Sequence, residues 1–103
     1  MQIPFTYNLM ITRLVKLTLK PEFCSNFEQI FVERQNAIKS QSGCFGVELV
    51  KDVKETGVFF TISKWESEKD LNAYRHSDLF KDIWPTIKPM FADKAEAWST
   101  EFC

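Results

Sequence analysis

An α+β fold with an antiparallel four-stranded sheet is what this sequence predicts, in the ferredoxin-like order β-α-β-β-α-β with both helical segments on one face. Three observations carry that expectation. Apolar and polar residues alternate with period two over Met10–Leu19, Gly43–Asp52, Val58–Trp65 and Asp93–Phe102. Stripes of aromatic and aliphatic residues at helical spacing fill the two long gaps between the first and second and the third and fourth of these runs. Only the short charged stretch Lys51–Glu55 with Gly57 separates the middle two, as in a hairpin.

In the first strand Ile11, Val15, Leu17 and Leu19 share one parity with Arg13, while Thr12, Leu14, Lys16 and Thr18 share the other. A charge on the apolar parity is costly unless paired, so Arg13 either reaches a ligand or, more commonly, forms a rim or interface salt bridge. Pro21 suits a first helical turn, and Ser25 with Glu28 reads as a capping box in which each side chain satisfies an orphan backbone donor. Phe23, Phe27, Ile30, Phe31, Arg34 and Ile38 then recur at helical spacing to about Gln41, and Gly43 ends the helix. In the second strand Phe45, Val47 and Leu49 oppose Cys44, Gly46 and Glu48, and the third strand is aromatic and β-branched up to Trp65.

Ser67 followed by Asp70 signals a second helix start, with Leu71 and Tyr74 on one face. Ser77-Asp78 restarts the helix, after which Phe80, Ile83, Trp84, Ile87 and Phe91 form a stripe. Pro85 and Pro89 interrupt that stripe, and a proline inside a helix costs about 3 kcal/mol, so a kink or break is expected near Trp84. The last strand sets Trp98 and Phe102 against Ala95, Ala97 and Ser99. The sheet face away from the helices is apolar too. Pairing two such faces in a homodimer is the simplest way to cover it, at an interface of about 1,600 Å² or more.

Composition narrows the function. The 103 residues suit a single domain, taken as 10–103 with residues 1–9 as an N-terminal extension. Ten Phe, three Trp and two Tyr supply more aromatic surface than a small core needs, which points to an interface or a pocket. A net charge of −1, from 13 basic and 14 acidic residues without any run of five like charges, offers no footprint for nucleic acid or an anionic membrane. Cys24, Cys44 and Cys103 match neither a disulfide framework nor metal-ligand spacing, so no metal is expected. Met1–Leu9 lacks the basic and apolar regions of a signal peptide, no apolar run nears the ~20 residues of a membrane span, and a cytoplasmic location is the expectation.

The motif Trp65-x-Ser67-x-x-x-Leu71 followed by Ser77-x-x-Phe80, with Gly43-Cys44 ahead of the second strand and an aromatic third strand ending at Trp65, resembles the antibiotic biosynthesis monooxygenase family of dimeric α+β barrels. The likeness covers about Met10 to Phe102. It implies a homodimer with one cavity per protomer between sheet and helices, in which some members oxygenate phenolic or quinol substrates without metal, flavin or haem. The partners so implied are a small aromatic molecule and molecular oxygen, with no cofactor. Quinol-oxidising members commonly carry histidines nine and fourteen residues after the tryptophan matched by Trp65; here those positions are Tyr74 and Leu79. The asparagine, tryptophan and axial histidine of the haem-degrading branch match Thr12, Tyr74 and Trp84, so haem degradation is not expected.

The candidate catalytic residues are therefore Tyr74, whose hydroxyl could hydrogen-bond a phenolate, and His76, the sole histidine and a general base by its ordinary pKa. Helical geometry turns His76 about 140° from Leu71, so it also reads as a solvent-facing residue at a helix end. Candidate substrate contacts are Thr12, Phe27, Phe31, Arg34, Trp65 and Trp84, each of which has core packing or a solvated rim as the competing explanation; Arg34 and Arg75 could stabilise an anion. Three functions remain open: a cofactor-independent monooxygenase, an isomerase of a small carbonyl compound, and a non-catalytic ligand-binding or interaction module.

Overall fold

The computed structural model describes residues 10–103, so the extension expected at Met1–Leu9 lies outside the described residues. Four strands, β1 (Ile11–Thr18), β2 (Cys44–Lys51), β3 (Val58–Trp65) and β4 (Glu96–Thr100), form one antiparallel sheet in the order β2-β3-β1-β4. Three α-helices complete the fold: α1 (Cys24–Lys39), α2 (Glu68–Arg75) and α3 (Asp78–Ile87). Single 3-10 turns precede α1 at Pro21–Phe23 and follow α3 at Lys88–Met90. This is the predicted ferredoxin-like arrangement. Among the described residues no helix is long and apolar enough to cross a membrane.

Register decides which side chains meet the helices. Leu17 pairs with Phe59, Val15 with Thr61 and Arg13 with Ser63, while Val15 and Arg13 pair on their other side with Ala97 and Ser99. Because the side-chain period of a strand is two, all of these share the inner face. There Leu17, Val47 and Phe59 join Leu19, Phe27, Ile38, Ile83 and Ile87 in one buried core. The outer face carries the rows Ile62–Leu14–Trp98 and Val50–Phe60–Lys16, and Val50 and Trp98 are 44% and 45% exposed. A register irregularity between Cys44 and Gly46 turns Phe45 outward.

Two glycines are fixed by space as well as by dihedral angle. Gly57 ends the β2–β3 turn at φ +91°, and its carbonyl accepts a 2.8 Å bond from the Leu19 amide; any Cβ there would lie 2.8 Å from the Leu19 carbonyl oxygen. Gly43, at φ +77°, abuts the Asp70 carboxylate, into which a side chain would run.

Two sequence expectations need correction. Ser25 and Glu28 do not form a capping box: the chain already turns at Pro21, so Ser25 lies inside α1, whose N-cap is Phe23 without a side-chain hydrogen bond. Nor does the chain break near Trp84. Helix α3 runs through Pro85 to Ile87, and the change of conformation comes at Lys88, where Pro89 sits in the 3-10 turn. Burial of Ile83 and Ile87 on either side of Pro85 holds the helix together across the missing donor. The other two helix starts form as read: the Ser67 hydroxyl accepts from the Asp70 amide and the Ser77 hydroxyl from the Phe80 amide, both at 3.2 Å.

Candidate functional site

Between the inner sheet face and the helices lies a half-open cavity of about 360 Å³, within the range of small-molecule sites. Its floor is apolar, made by Leu17, Phe27, Ile38, Val47, Ile83 and Ile87. Toward β4 it is lined by Ala95 and Ala97, the smallest side chains of the wall, with Ala97 opposite Val15 of β1.

An aromatic ladder forms one wall. Trp65 and Tyr74 stack at 5.1 Å between ring centroids, Tyr74 meets Phe80 edge-on at 5.4 Å, and Phe80 stacks on Trp84 at 5.6 Å. Beyond the lining, Trp84 meets Phe91 edge-on at 5.5 Å. Such offset and edge contacts hold planar rings at fixed orientations. The junction between α2 and α3 sets the middle of the ladder. Ser77 donates from its hydroxyl to the Tyr74 carbonyl at 2.6 Å while its oxygen caps the Phe80 amide, so one residue ties the turn that carries both rings. At the other end Trp65 is 1% exposed and its indole N–H donates to the Ser63 hydroxyl oxygen at 2.9 Å.

Polar groups are few and placed at distinct depths. Ser63, 7% exposed, lies on the sheet wall. Burial, with a smaller contribution from the nearby Cys44 thiol, pushes the Tyr74 hydroxyl up to about 12, so at neutral pH it is a proton donor and not a base. Burial also pushes the Cys44 thiol up, which keeps it out of thiolate chemistry. Three arginines also line the cavity, Arg13 and Arg34 half-buried and Arg75 exposed. The Arg13 guanidinium donates to the Ser99 hydroxyl oxygen at 3.0 Å, and its pKa is lowered by burial and then by the like charge of Arg75. Arg34 is paired with Asp82 at 3.0 Å. No aspartate or glutamate lines the cavity.

The fold brings together six of the eight candidate residues: Tyr74, Phe27, Phe31, Arg34, Trp65 and Trp84 all line this one space. Thr12 and His76 stand elsewhere. Thr12 falls on the outer face of the sheet, opposite Thr100 and Lys64, as alternation along β1 requires. His76 is the exposed C-cap of α2, where its Nδ1 donates to the Asn72 carbonyl at 2.7 Å. Ser63 and Phe80 were not among the candidates, although Ser63 shares the inward parity of Trp65 and Phe80 leads the α3 stripe. At the position that the haem-degrading branch fills with an axial histidine, Trp84 is packed between Phe80 and Phe91, and an indole offers no metal-ligand atom. Among the described residues no three His, Cys, Asp or Glu side chains cluster as metal ligands would.

Comparison with known proteins agrees with this architecture. The family model described as antibiotic biosynthesis monooxygenase matches residues 10–84. Among solved structures, a conserved protein from Methanosarcina mazei Go1 superposes with a TM-score of 0.90 at 20% identity, covering 96% of this chain and 98% of its own. A candidate antibiotic biosynthesis monooxygenase from Caulobacter crescentus CB15 gives 0.86 at 21% identity, over 94% and 92% of the two chains. Another from Nitrosomonas europaea gives 0.86 at 12% identity, over 92% and 91%. No curated protein matches the sequence. At these identities the superpositions establish the fold, whereas the family model spans most of the chain, which therefore belongs to the antibiotic biosynthesis monooxygenase family.

Proposed function

We propose that this protein is a cofactor-independent monooxygenase of a small aromatic, phenolic or quinol-like molecule and works as a homodimer. The observation that carries the reading is the Tyr74 hydroxyl, held protonated inside an aromatic cavity that also receives arginine side chains. Triplet oxygen reacts slowly with closed-shell molecules, and an electron-rich phenolate is the kind of organic group that reacts with it directly. A site that favours the phenolate over the phenol therefore supplies the main requirement, and a hydroxyl donor with nearby cations does so. The ladder from Trp65 to Trp84 gives the ring a flat surface to lie against, and the apolar floor keeps water from the intermediate.

The reaction balances without a further reductant. The bound phenolate gives one electron to oxygen, and the resulting radical and superoxide join as a ring hydroperoxide after taking up a proton. Loss of the ring C–H proton with cleavage of the O–O bond then releases water and leaves a quinone, so one oxygen atom enters the product and the other leaves as water. No lining residue is an aspartate, glutamate or histidine. The substrate's phenolic proton consequently goes to solvent as the anion forms, and the site's contribution is stabilisation and not proton removal by a side chain.

Oxygen-electrode assays with a hydroquinone test the reading. Uptake above the autoxidation rate, with a hydroxyquinone product that has gained one oxygen atom, is expected from the wild type, and Trp84→Ala should lower it at least tenfold. Binding without oxygen consumption would make the protein a ligand-binding module, and turnover without oxygen consumption would make it an isomerase.

A further inference from the structure

We infer that Arg13 and Arg75 form a carboxylate subsite in the cavity lining, so that the substrate is an aromatic carboxylic acid that enters ring first. This rests on reading the cavity as a substrate site, though not on the oxygenation step. The two side chains come from unrelated elements: Arg13 from near the start of β1 on the inner sheet face, Arg75 from the last residue of α2. Both line the same space. Two guanidinium groups over a partly desolvated cavity repel each other, and burial first and then the like charge of Arg75 lower the Arg13 pKa. Arg34 has its counter-ion in Asp82, and that is the one ion pair among the described residues; Arg13 and Arg75 have none.

The excess of positive charge is local. The chain as a whole is at −1, yet the cavity is lined by three arginines and no acid. Arg13 is also held ready. Its Nη1 is committed to Ser99 at 3.0 Å, which orients the planar group and leaves its remaining N–H donors for another acceptor. A carboxylate matches this fork, since its two oxygens accept parallel N–H donors and its charge offsets the pair. Ala95 and Ala97 line the same space with side chains small enough to leave room for a flat molecule, whose ring would lie on the Tyr74–Phe80–Trp84 wall while its acid group meets the arginines.

The test is isothermal titration calorimetry with 2-naphthoate and its methyl ester, which share a ring system and differ in charge. The acid should bind the wild type at least tenfold more tightly than the ester. In Arg75→Met, an exposed helix-end substitution that leaves the core intact, the ratio should fall to near one through loss of acid affinity alone. Arg13→Lys, which keeps the charge if Arg13→Met fails to fold, should weaken the acid severalfold by removing the fork. Lys64→Met on the outer sheet face should leave the ratio unchanged. Equal binding of acid and ester to the wild type would overturn the carboxylate subsite while sparing the cavity. Failure of both to bind would overturn the subsite and the substrate-site reading together.

Discussion

Tyr74 gives the account its sharpest chemistry at the residue scale. Burial raises its pKa from 10.0 to about 12, which means the folded state resists its ionisation. Stability from this group is fully present below about pH 10 and is lost as pH rises toward 12, a loss of about 3 kcal/mol across that window. Alkaline unfolding followed by far-ultraviolet circular dichroism should therefore show Tyr74→Phe unfolding at a higher pH than wild type. The same substitution should cut oxygen uptake several-fold, since it deletes the donor to the phenolate and keeps the ring. Because no lining residue serves as a base, the rate should follow the ionisation of the bound substrate, and phenols of lower pKa should shift the pH profile down by a matching amount. Ser63 is a purely structural prediction: Ser63→Ala strands the Trp65 indole N–H in the core and should cost about 1–3 kcal/mol in urea unfolding.

At the scale of elements, the agreement between sequence and structure depends on how local the deciding interaction is. Ser67 and Ser77 cap helices by bonding amides three residues on, and both were legible because the motif contains all the atoms involved. Ser25 carried the same signature and failed because Pro21, four residues earlier, had already turned the chain. Pro85 misled in the opposite sense: its local cost is real, and only the packing of Ile83 and Ile87 beneath it, which no local motif reveals, keeps α3 continuous. Pro85→Ala should accordingly raise stability by about 1–3 kcal/mol in chemical denaturation without altering the helix. The site was readable to a similar degree. Helical stripes exposed Phe27, Phe31, Arg34, Tyr74 and Trp84, and strand parity put Arg13 on the inner face, whereas Thr12, named as a contact against its own parity, lies on the outer face. Ser63 stayed hidden, because a small polar residue in a strand has no pattern until its neighbour's indole is seen to use it.

Among the described residues, the helices cover one face of the sheet and no helix covers the other. On that outer face Trp98, Leu14 and Ile62 lie in one row and Val50 and Phe60 in the next, a patch that suits a second copy of the chain. Sedimentation equilibrium should give a dimer for the proposed assembly, and Trp98→Glu should shift it toward monomer. The cavity and this face use opposite sides of the same strands, so their effects are separable: Trp98→Glu leaves every lining side chain in place. The central claim is that the space between Trp65, Tyr74, Phe80 and Trp84 receives an aromatic ring. A crystal structure of the protein soaked with a hydroquinone under anaerobic conditions tests it most directly. Density for a ring lying along that wall, with an oxygen within hydrogen-bond distance of the Tyr74 hydroxyl, is the predicted result; a cavity closed by Trp84 and Phe80, with no ring in it, would contradict the account.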